Sequence, residues 1–141
     1  MTAFYFFDSG VVRALPGRLP YPPTPEASGP LFECLIINEL RAYLHYTERD
    51  YPLHFWRSQG GVEVDIMLET AAGYVAIELK NGTRWEKKFN RGMHRLSEAL
   101  GKEKVACFGV FMGERQLTIE DVTVYPAIDF LRRLWSGEII R

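Results

Sequence analysis

The stretch from Val62 to Gly82, VEVDIMLETAAGYVAIELKNG, constrains the fold of this chain more than any other segment. Two runs of alternating apolar and polar residues flank the turn sequence TAAG, which predicts an antiparallel hairpin. A one-residue slip would turn every side chain to the other face, so this pattern specifies its register. The predicted cross-strand pairs are Leu68 with Val75, Ile66 with Ile77 and Val64 with Leu79 on a buried apolar face, and Met67 with Ala76, Asp65 with Glu78 and Glu63 with Lys80 on the other.

The second face of this hairpin places two acids against each other. Residues directly opposed across strands have Cβ atoms about 4.5–5.5 Å apart, and like charges there are destabilising, whereas Glu63 with Lys80 is a favourable pair. If a helix covers Asp65 and Glu78, their repulsion must be relieved by a shared proton or a cation. Mg²⁺ takes hard oxygen ligands, so the pair is a candidate divalent-metal site.

A helix is predicted from Pro30 to about Tyr46, because apolar residues recur there at steps of three and four. Glu33 shares a face with Ile36 and Leu40, at the start of the apolar stripe. Two interpretations stay open for it. Glu33 either joins the carboxylates of the hairpin, or it is a first-turn acid favoured by the helix dipole.

The remaining elements predict a mixed α/β sheet. A long helix between two strands acts as a crossover, so the strands it joins should be parallel, whereas strands joined by short turns should be antiparallel. The further predicted elements are strands at Leu53–Arg57, Val105–Met112 and Val122–Tyr125, and helices at about 84–100 and Ala127–Trp135.

The predicted helix at 84–100 carries two stripes. The apolar one, expected to face the sheet, comprises Trp85, Phe89, Met93, Leu96 and Leu100. The second, here called the basic row, comprises Arg84, Lys88, Arg91 and Arg95, and is widened by Lys87 and Lys102. A row of this kind can follow a phosphate backbone, or it can be a solvated helix face. Arg57 is either a further phosphate contact or a counter-charge to the acids of the hairpin.

Composition excludes several classes of protein. The 141 residues suit one domain, and a net charge of −1 gives no overall basic field for nucleic acid. No apolar run is long enough to cross a membrane, and the N-terminus lacks a secretory signal pattern. Cys34 and Cys107 are isolated in apolar surroundings, which favours a reduced, cytoplasmic setting. The spacing of His45, His54 and His94 predicts no zinc site.

The first 27 residues differ from the rest. An aromatic start that includes Phe4-Tyr5-Phe6-Phe7 leads into the proline-rich LPGRLPYPPTPEASGP, which predicts an extended surface connection or, alternatively, a polyproline ligand. We therefore predict a terminal segment over residues 1–27 and one globular domain over residues 28–141.

Asp65, followed by Glu78-Leu79-Lys80, with Glu33 on a preceding helix, resembles the active-site pattern of the PD-(D/E)XK nuclease superfamily. More of the chain is similar to the prokaryotic domain of unknown function 4143, through FYFFDSGVVRAL, GPLFECLIINEL, FWRSQGGVEVDIML and AIELKNG. The resemblance implies a restriction-endonuclease-like core of order αβββαβ, with four to five strands flanked by helices. That family usually follows an AAA+ ATPase and a winged helix, but this sequence contains no GxxxxGK[ST] loop. It is expected to be the C-terminal domain alone, from a free-standing short gene or a truncated relative.

The chemistry implied by the resemblance is hydrolysis of DNA phosphodiester bonds with Mg²⁺ or Mn²⁺. Asp65, Glu78 and the main-chain carbonyl of Leu79 would bind the ion, and Glu33 would complete the shell directly or through water. Lys80 would orient the attacking water or stabilise charge on the phosphate. Glu63 would then either hold that lysine in place or pair with it so that it cannot act in the reaction.

Two other interpretations stay open. One is a catalytically inactive module that docks DNA, an ATPase, a winged-helix partner or a second copy of itself through the aromatic start. The other is a decayed fragment without activity.

Overall fold

The computed structural model of the chain describes residues 25–141, with side chains from residue 28 onward. The described part contains three α-helices, which are α1 (Pro25–Tyr46), α2 (Arg91–Leu100) and α3 (Ala127–Trp135). Its strands are β1 (Leu53–Arg57), β2 (Glu63–Thr70), β3 (Gly73–Leu79), β4 (Val105–Phe111), β5 (Leu117–Ile119) and β6 (Val122–Pro126), and short 3-10 helices lie at Lys87–Asn90 and Lys102–Lys104.

The strands form one mixed sheet of order β1-β2-β3-β4-β6-β5. As predicted, β1, β2 and β3 are antiparallel neighbours, and β3 and β4 on either side of the crossover are parallel. The expectation of four to five strands was wrong, since the described residues form six. The strand β5 was not predicted, because its three residues are too few to show an alternating pattern.

The hairpin of β2 and β3 has the predicted register over the greater part of its length. Glu69 pairs with Tyr74, Leu68 with Val75 and Ile66 with Ile77, so the apolar face is buried as expected. This ladder is regular from the turn up to Ile66 and Ile77. The departure from the prediction begins at Asp65.

The helix α1 belongs to one compact unit, and residues 49–141 form another. It begins at Pro25, with Pro30 inside it, so the prediction of a start at Pro30 was wrong, as was the extended connection over residues 25–30. Apart from its two prolines and one glycine, that stretch is Glu-Ala-Ser, which is compatible with a helix. Ile36 and Leu40 are fully buried, as the apolar stripe predicted. The aromatic start and the rest of the proline-rich segment lie outside the described residues.

Within the second unit, α2 packs on β2, β3 and β4, and α3 packs on β4 and β6. A cluster on the α2 side of the sheet joins Met93 and Leu96 of the helix to Ala76, Cys107 and Val124 of the strands. Trp85, Phe89 and Leu100 belong to the same packing, so the predicted apolar stripe is confirmed.

Gly92 fixes how closely α2 approaches the sheet. A Cβ atom at this position would lie 1.8 Å from the main-chain oxygen of Glu63 and 3.2 Å from a methyl group of Val64. A side chain is therefore excluded, and the backbones of α2 and β2 meet directly.

The segment before α2 differs from the prediction of a helix from residue 84. Residues Lys87–Asn90 form a 3-10 helix, and the α-helix begins only at Arg91. The buried Asn90 accepts a hydrogen bond of 2.8 Å from the indole N–H of Trp85 and donates one of 3.1 Å to the carbonyl of Ile119. These two bonds hold residues 85–90 in a non-α conformation.

Two further findings concern the class of protein. Among the described residues, no helix is both long and apolar enough to cross a membrane. Cys34 and Cys107 are both buried free thiols.

Candidate metal centre

A β-bulge in β2 creates the site. Between the pairs His54–Met67 and Trp56–Val64, β1 has one residue whereas β2 has two, Asp65 and Ile66. Bulges re-aim side chains and interrupt pairing. Val64 consequently packs in the α2-side cluster with Ala76, so the prediction that it shares a face with Ile66 was wrong.

Asp65 uses this bulge to contact the end of β3. Its Oδ2 accepts a hydrogen bond of 2.8 Å from the main-chain N–H of Leu79. A side-chain carboxylate therefore satisfies a strand amide that a regular hairpin would pair with a backbone carbonyl. Burial raises the pKa of Asp65, although the Leu79 amide and the Lys80 charge oppose that shift.

Glu78 is the most unusual group of the described residues. Its side chain is only 10% exposed, its Oε1 lies 3.2 Å from the Nζ of Lys80, and its Oε2 is buried without any hydrogen-bond partner. Burial, and then the neighbouring Asp65 carboxylate, raise the pKa of Glu78 to about 8, against the effect of Lys80. The carboxyl is therefore largely protonated at neutral pH.

The burial of Glu78 follows from its neighbour in β4. Glu78 pairs with Gly109, and the Trp85 ring lies over that glycine, where a Cβ atom would approach the ring to 2.6 Å. The indole therefore occupies the space that a side chain would fill on this face of the sheet. Phe89 packs edge-on against it, with 5.4 Å between the ring centroids.

Lys80 directly follows β3 and is held from two sides. Its main-chain N–H donates a hydrogen bond of 2.9 Å to the carbonyl of Val110. Its ammonium group lies 4.7 Å from the centroid of the Phe89 ring, a favourable cation–π distance, besides its contact with Glu78. The Lys80 side chain is 35% exposed, so it lies between the buried carboxyls and solvent.

The prediction that Glu63 would pair with Lys80 was wrong. Glu63 lies opposite Arg57 of β1, with 3.6 Å between Arg57 Nε and Glu63 Oε1. The bulge is the physical reason, because it ends the regular β2–β3 ladder before Glu63. Lys80 is thus available to Glu78, and Arg57 is an exposed counter-charge to Glu63.

The basic row is exposed, but it is partly paired with acids. Lys88 lies 2.8 Å from Glu86, and Arg95 lies 3.4 Å from Glu98. Arg84 and Arg91 have no acidic partner among the described residues. Lys88, Arg91 and Arg95 border one surface groove of about 480 Å³, together with Lys87. The structure therefore brings three members of the row together and leaves Arg84 outside that groove.

Glu33 lies half-buried on α1, and Leu79 is the last residue of β3. Of the predicted metal ligands, the structure brings together the carboxylates of Asp65 and Glu78 and the backbone of Leu79. The contribution of Glu33 stays a prediction.

Sequence reasoning missed the groups that support this site. Asn90 interrupts the apolar and basic stripes, and Gly92 stands near the start of a helix, so both were visible as exceptions to the pattern. Sequence reasoning also missed a cluster of His94, Glu120 and Asp121, because its members are distant in sequence.

The fold and the site define the class of protein: a mixed α/β domain in which a bulged hairpin buries two carboxyl groups beside a lysine. A family model described as "Domain of unknown function (DUF4143)" matches residues 28–130. The chain belongs to that family, as the sequence resemblance predicted. No curated protein matches the chain significantly.

Proposed function

We propose that this domain is a Mg²⁺- or Mn²⁺-dependent nuclease that hydrolyses DNA phosphodiester bonds at the site formed by Asp65, Glu78 and Lys80. The observation that carries the proposal is the buried, unpartnered Oε2 of Glu78 next to a second carboxyl group. A buried polar atom without a partner is costly, and a cation held between two carboxylates would relieve that cost.

The donor set fits such an ion. Asp65 and Glu78 supply hard carboxylate oxygens, and the main-chain carbonyl of Leu79 is the third proposed ligand. Glu33 is proposed to complete the shell directly or through water. A bound Mg²⁺ would lower the pKa of a coordinated water and polarise the phosphate.

The residues of the chain have separate tasks in this mechanism. With a cation bound, Glu78 would be deprotonated, its proton released to solvent, and the ion rather than Lys80 would balance the charge of its carboxylate. The Lys80 amine, steadied over Phe89, can turn to the solvent side. There it orients the attacking water or stabilises negative charge on the phosphate.

The test is cleavage of single-stranded, duplex and branched DNA with Mg²⁺ or Mn²⁺, comparing the wild type with Lys80→Ala. Lys104→Ala is the matched control, because Lys104 is an exposed lysine of the 3-10 helix at Lys102–Lys104 and belongs neither to the buried carboxyl site nor to the basic row. We expect Lys80→Ala to lose cleavage by at least about a hundredfold and Lys104→Ala to retain it. Cleavage that survives unchanged in Lys80→Ala and in Asp65→Asn would overturn the proposal.

A second candidate is a DNA-docking module without cleavage, which is favoured by the exposed groove beside Lys88, Arg91 and Arg95. Phosphate contacts give a log–log salt slope of about −0.9 per contact on duplex DNA, so the four cationic residues that line the groove, Lys87, Lys88, Arg91 and Arg95, predict about −3.6. The variant with Arg91 and Arg95 both changed to Glu should bind every sequence more weakly, with a slope near −1.8 by the same rule.

Arg132→Glu on α3 is the control for that experiment, because Arg132 is 76% exposed and lies on another helix. Binding that is unchanged in the double variant would place the DNA surface elsewhere. Docking of an ATPase, of a winged-helix partner or of a second copy would remain as the proposed role of a domain that neither cleaves nor binds DNA.

A further inference from the structure

A second group of metal-ligating atoms lies where α2 meets the β5–β6 hairpin. His94 Nε2 is 2.8 Å from Asp121 Oδ1 and 3.2 Å from Glu120 Oε2, and the three ligand atoms all lie within 4.8 Å of one another. An imidazole and two carboxylates from separate elements thus converge on one point. The DNA-cleavage proposal uses none of these residues.

The hairpin is built to present both acids. Ile119 pairs with Val122, so Glu120 and Asp121 are the two central residues of the turn. Glu120 has φ +59°, in the left-handed region that asparagine and glycine adopt at lower cost than glutamate. Glu120 therefore adopts a backbone conformation of higher energy at the position where its side chain contacts the imidazole of His94.

The helix side of this cluster is equally fixed. Gly92 and Met93, just before His94, are buried against the sheet, and Gly92 lies against the backbone of β2. In front of the cluster is a cavity of about 730 Å³, which Ser97, Glu98, Lys102 and Glu103 also line. An ion held here would have open coordination positions on the cavity side.

The distances between the three ligand atoms are compatible with an ion that replaces the hydrogen bonds of His94. Metal–ligand bonds of 2.0–2.2 Å in a tetrahedral site separate the ligand atoms by about 3.4 Å. The two distances given above, 2.8 and 3.2 Å, are shorter than this, as is expected of direct hydrogen bonds. Small rotations of the side chains would open them enough for an ion.

We propose that His94, Glu120 and Asp121 form a second cation site, for a first-row transition ion such as Zn²⁺ and not for Mg²⁺. Imidazole suits zinc and its neighbours in the row, whereas Mg²⁺ prefers oxygen ligands and keeps its waters. The ion ties α2 to the β5–β6 hairpin and leaves a coordination position for water or a small ligand.

Lys87 competes with that ion. Its Nζ lies 2.6 Å from Glu120 Oε1, and this contact raises the pKa of Lys87. The lysine side chain is 75% exposed, so its release into water costs little. Removal of this competing charge should therefore tighten the binding of the ion.

The experiment is isothermal titration of the tag-free full chain with Zn²⁺, together with the visible spectrum of the Co²⁺ form. We expect His94→Ala to weaken zinc binding by more than about tenfold, and Lys87→Ala to strengthen it several-fold. His54→Ala is the matched control, since His54 is an exposed histidine on β1, and it should bind as the wild type does.

Glu120→Asn separates the loss of the ligand from the loss of the fold, because asparagine keeps the left-handed backbone and removes the carboxylate. It should fold and lose zinc affinity. Asp65→Asn should keep the zinc site, which separates this proposal from the DNA-cleavage proposal. Zinc binding that is absent in the wild type at about 0.1 mM, or equal in His94→Ala and the wild type, would overturn the proposal.

Discussion

The chain places two acids beside a basic side chain in two places, and the two places differ in their access to water. At the first, which we call the buried pair, Glu78 is 10% exposed and lies with Asp65 and Lys80. At the second, the turn cluster of His94, Glu120 and Asp121, the side chains are 31–54% exposed. Burial, and after it the neighbouring Asp65 carboxylate, raises the pKa of Glu78 far from its usual value, because desolvation and a nearby negative charge both penalise the charged form. Similar residues thus give a protonated carboxyl in one environment and a hydrated cluster in the other.

The largest effect expected from this comparison is on the pH dependence of the free energy of unfolding. The unfolded chain releases the proton of Glu78 near pH 4.5, whereas the folded protein holds it to about pH 8. Between these values the folded state binds more protons, so its free energy of unfolding falls as the pH rises, by up to about 1.4 kcal/mol per pH unit. Glu78→Gln should remove most of this fall, as measured by urea unfolding from pH 4.5 to pH 8.5.

Glu120→Gln is the control for that measurement, because Glu120 belongs to the exposed cluster. It should keep the pH dependence of the wild type. The same pH profile in the wild type and in Glu78→Gln would show that burial does not govern the charge of Glu78.

A smaller effect is expected from opening the buried pair to water. Gly109→Ala places a Cβ atom 2.6 Å from the Trp85 ring, so the indole must move off the strand. We expect a loss of about 1–3 kcal/mol of stability and a fall in the pKa of Glu78, measured by chemical unfolding at several pH values. Gly82→Ala, with nothing within 4 Å of its added Cβ, should be near neutral. A variant Gly109→Ala with full stability would mean that Trp85 does not cover this face tightly.

The smallest effect is the stabilisation by Mg²⁺ or Mn²⁺ at the buried pair. An ion at ten times its Kd adds about 1.4 kcal/mol, seen as a rise in Tm. The rise should be larger at pH 8.5 than at pH 6, because at the lower pH the ion must displace the proton of Glu78. Asp65→Asn should abolish it. An equal rise in that variant would assign the ion to a place other than the buried pair.

The sequence predicted the parts of the fold that local periodicity determines. The hairpin register up to Ile66 and Ile77, the crossover and the closing helix follow from alternation, spacing and turn residues. The bulge at Asp65 could not be predicted from the hairpin alone, because it appears in the pairing of β2 with β1.

The sequence predicted which residues form the candidate site, but it did not predict all of their contacts. Asp65, Glu78 and Lys80 do lie together, whereas Glu63 turned out to pair with Arg57. The turn cluster could not be predicted from the sequence, since only the packing of α2 against the last hairpin brings His94 to Glu120. Contacts between residues far apart in the chain depend on the tertiary structure, which periodicity does not encode.

The contact of Gly92 with β2 has a consequence for variation at that position. Because a methyl group would collide with the main-chain oxygen of Glu63, even alanine, the usual neutral replacement in a helix, is excluded. Gly92 stands two positions before His94, and Glu63 stands two before Asp65. In a library of all single substitutions, residue 92 should therefore behave as an invariant position whose variants lose both cation responses at once, although it carries no chemical group of its own.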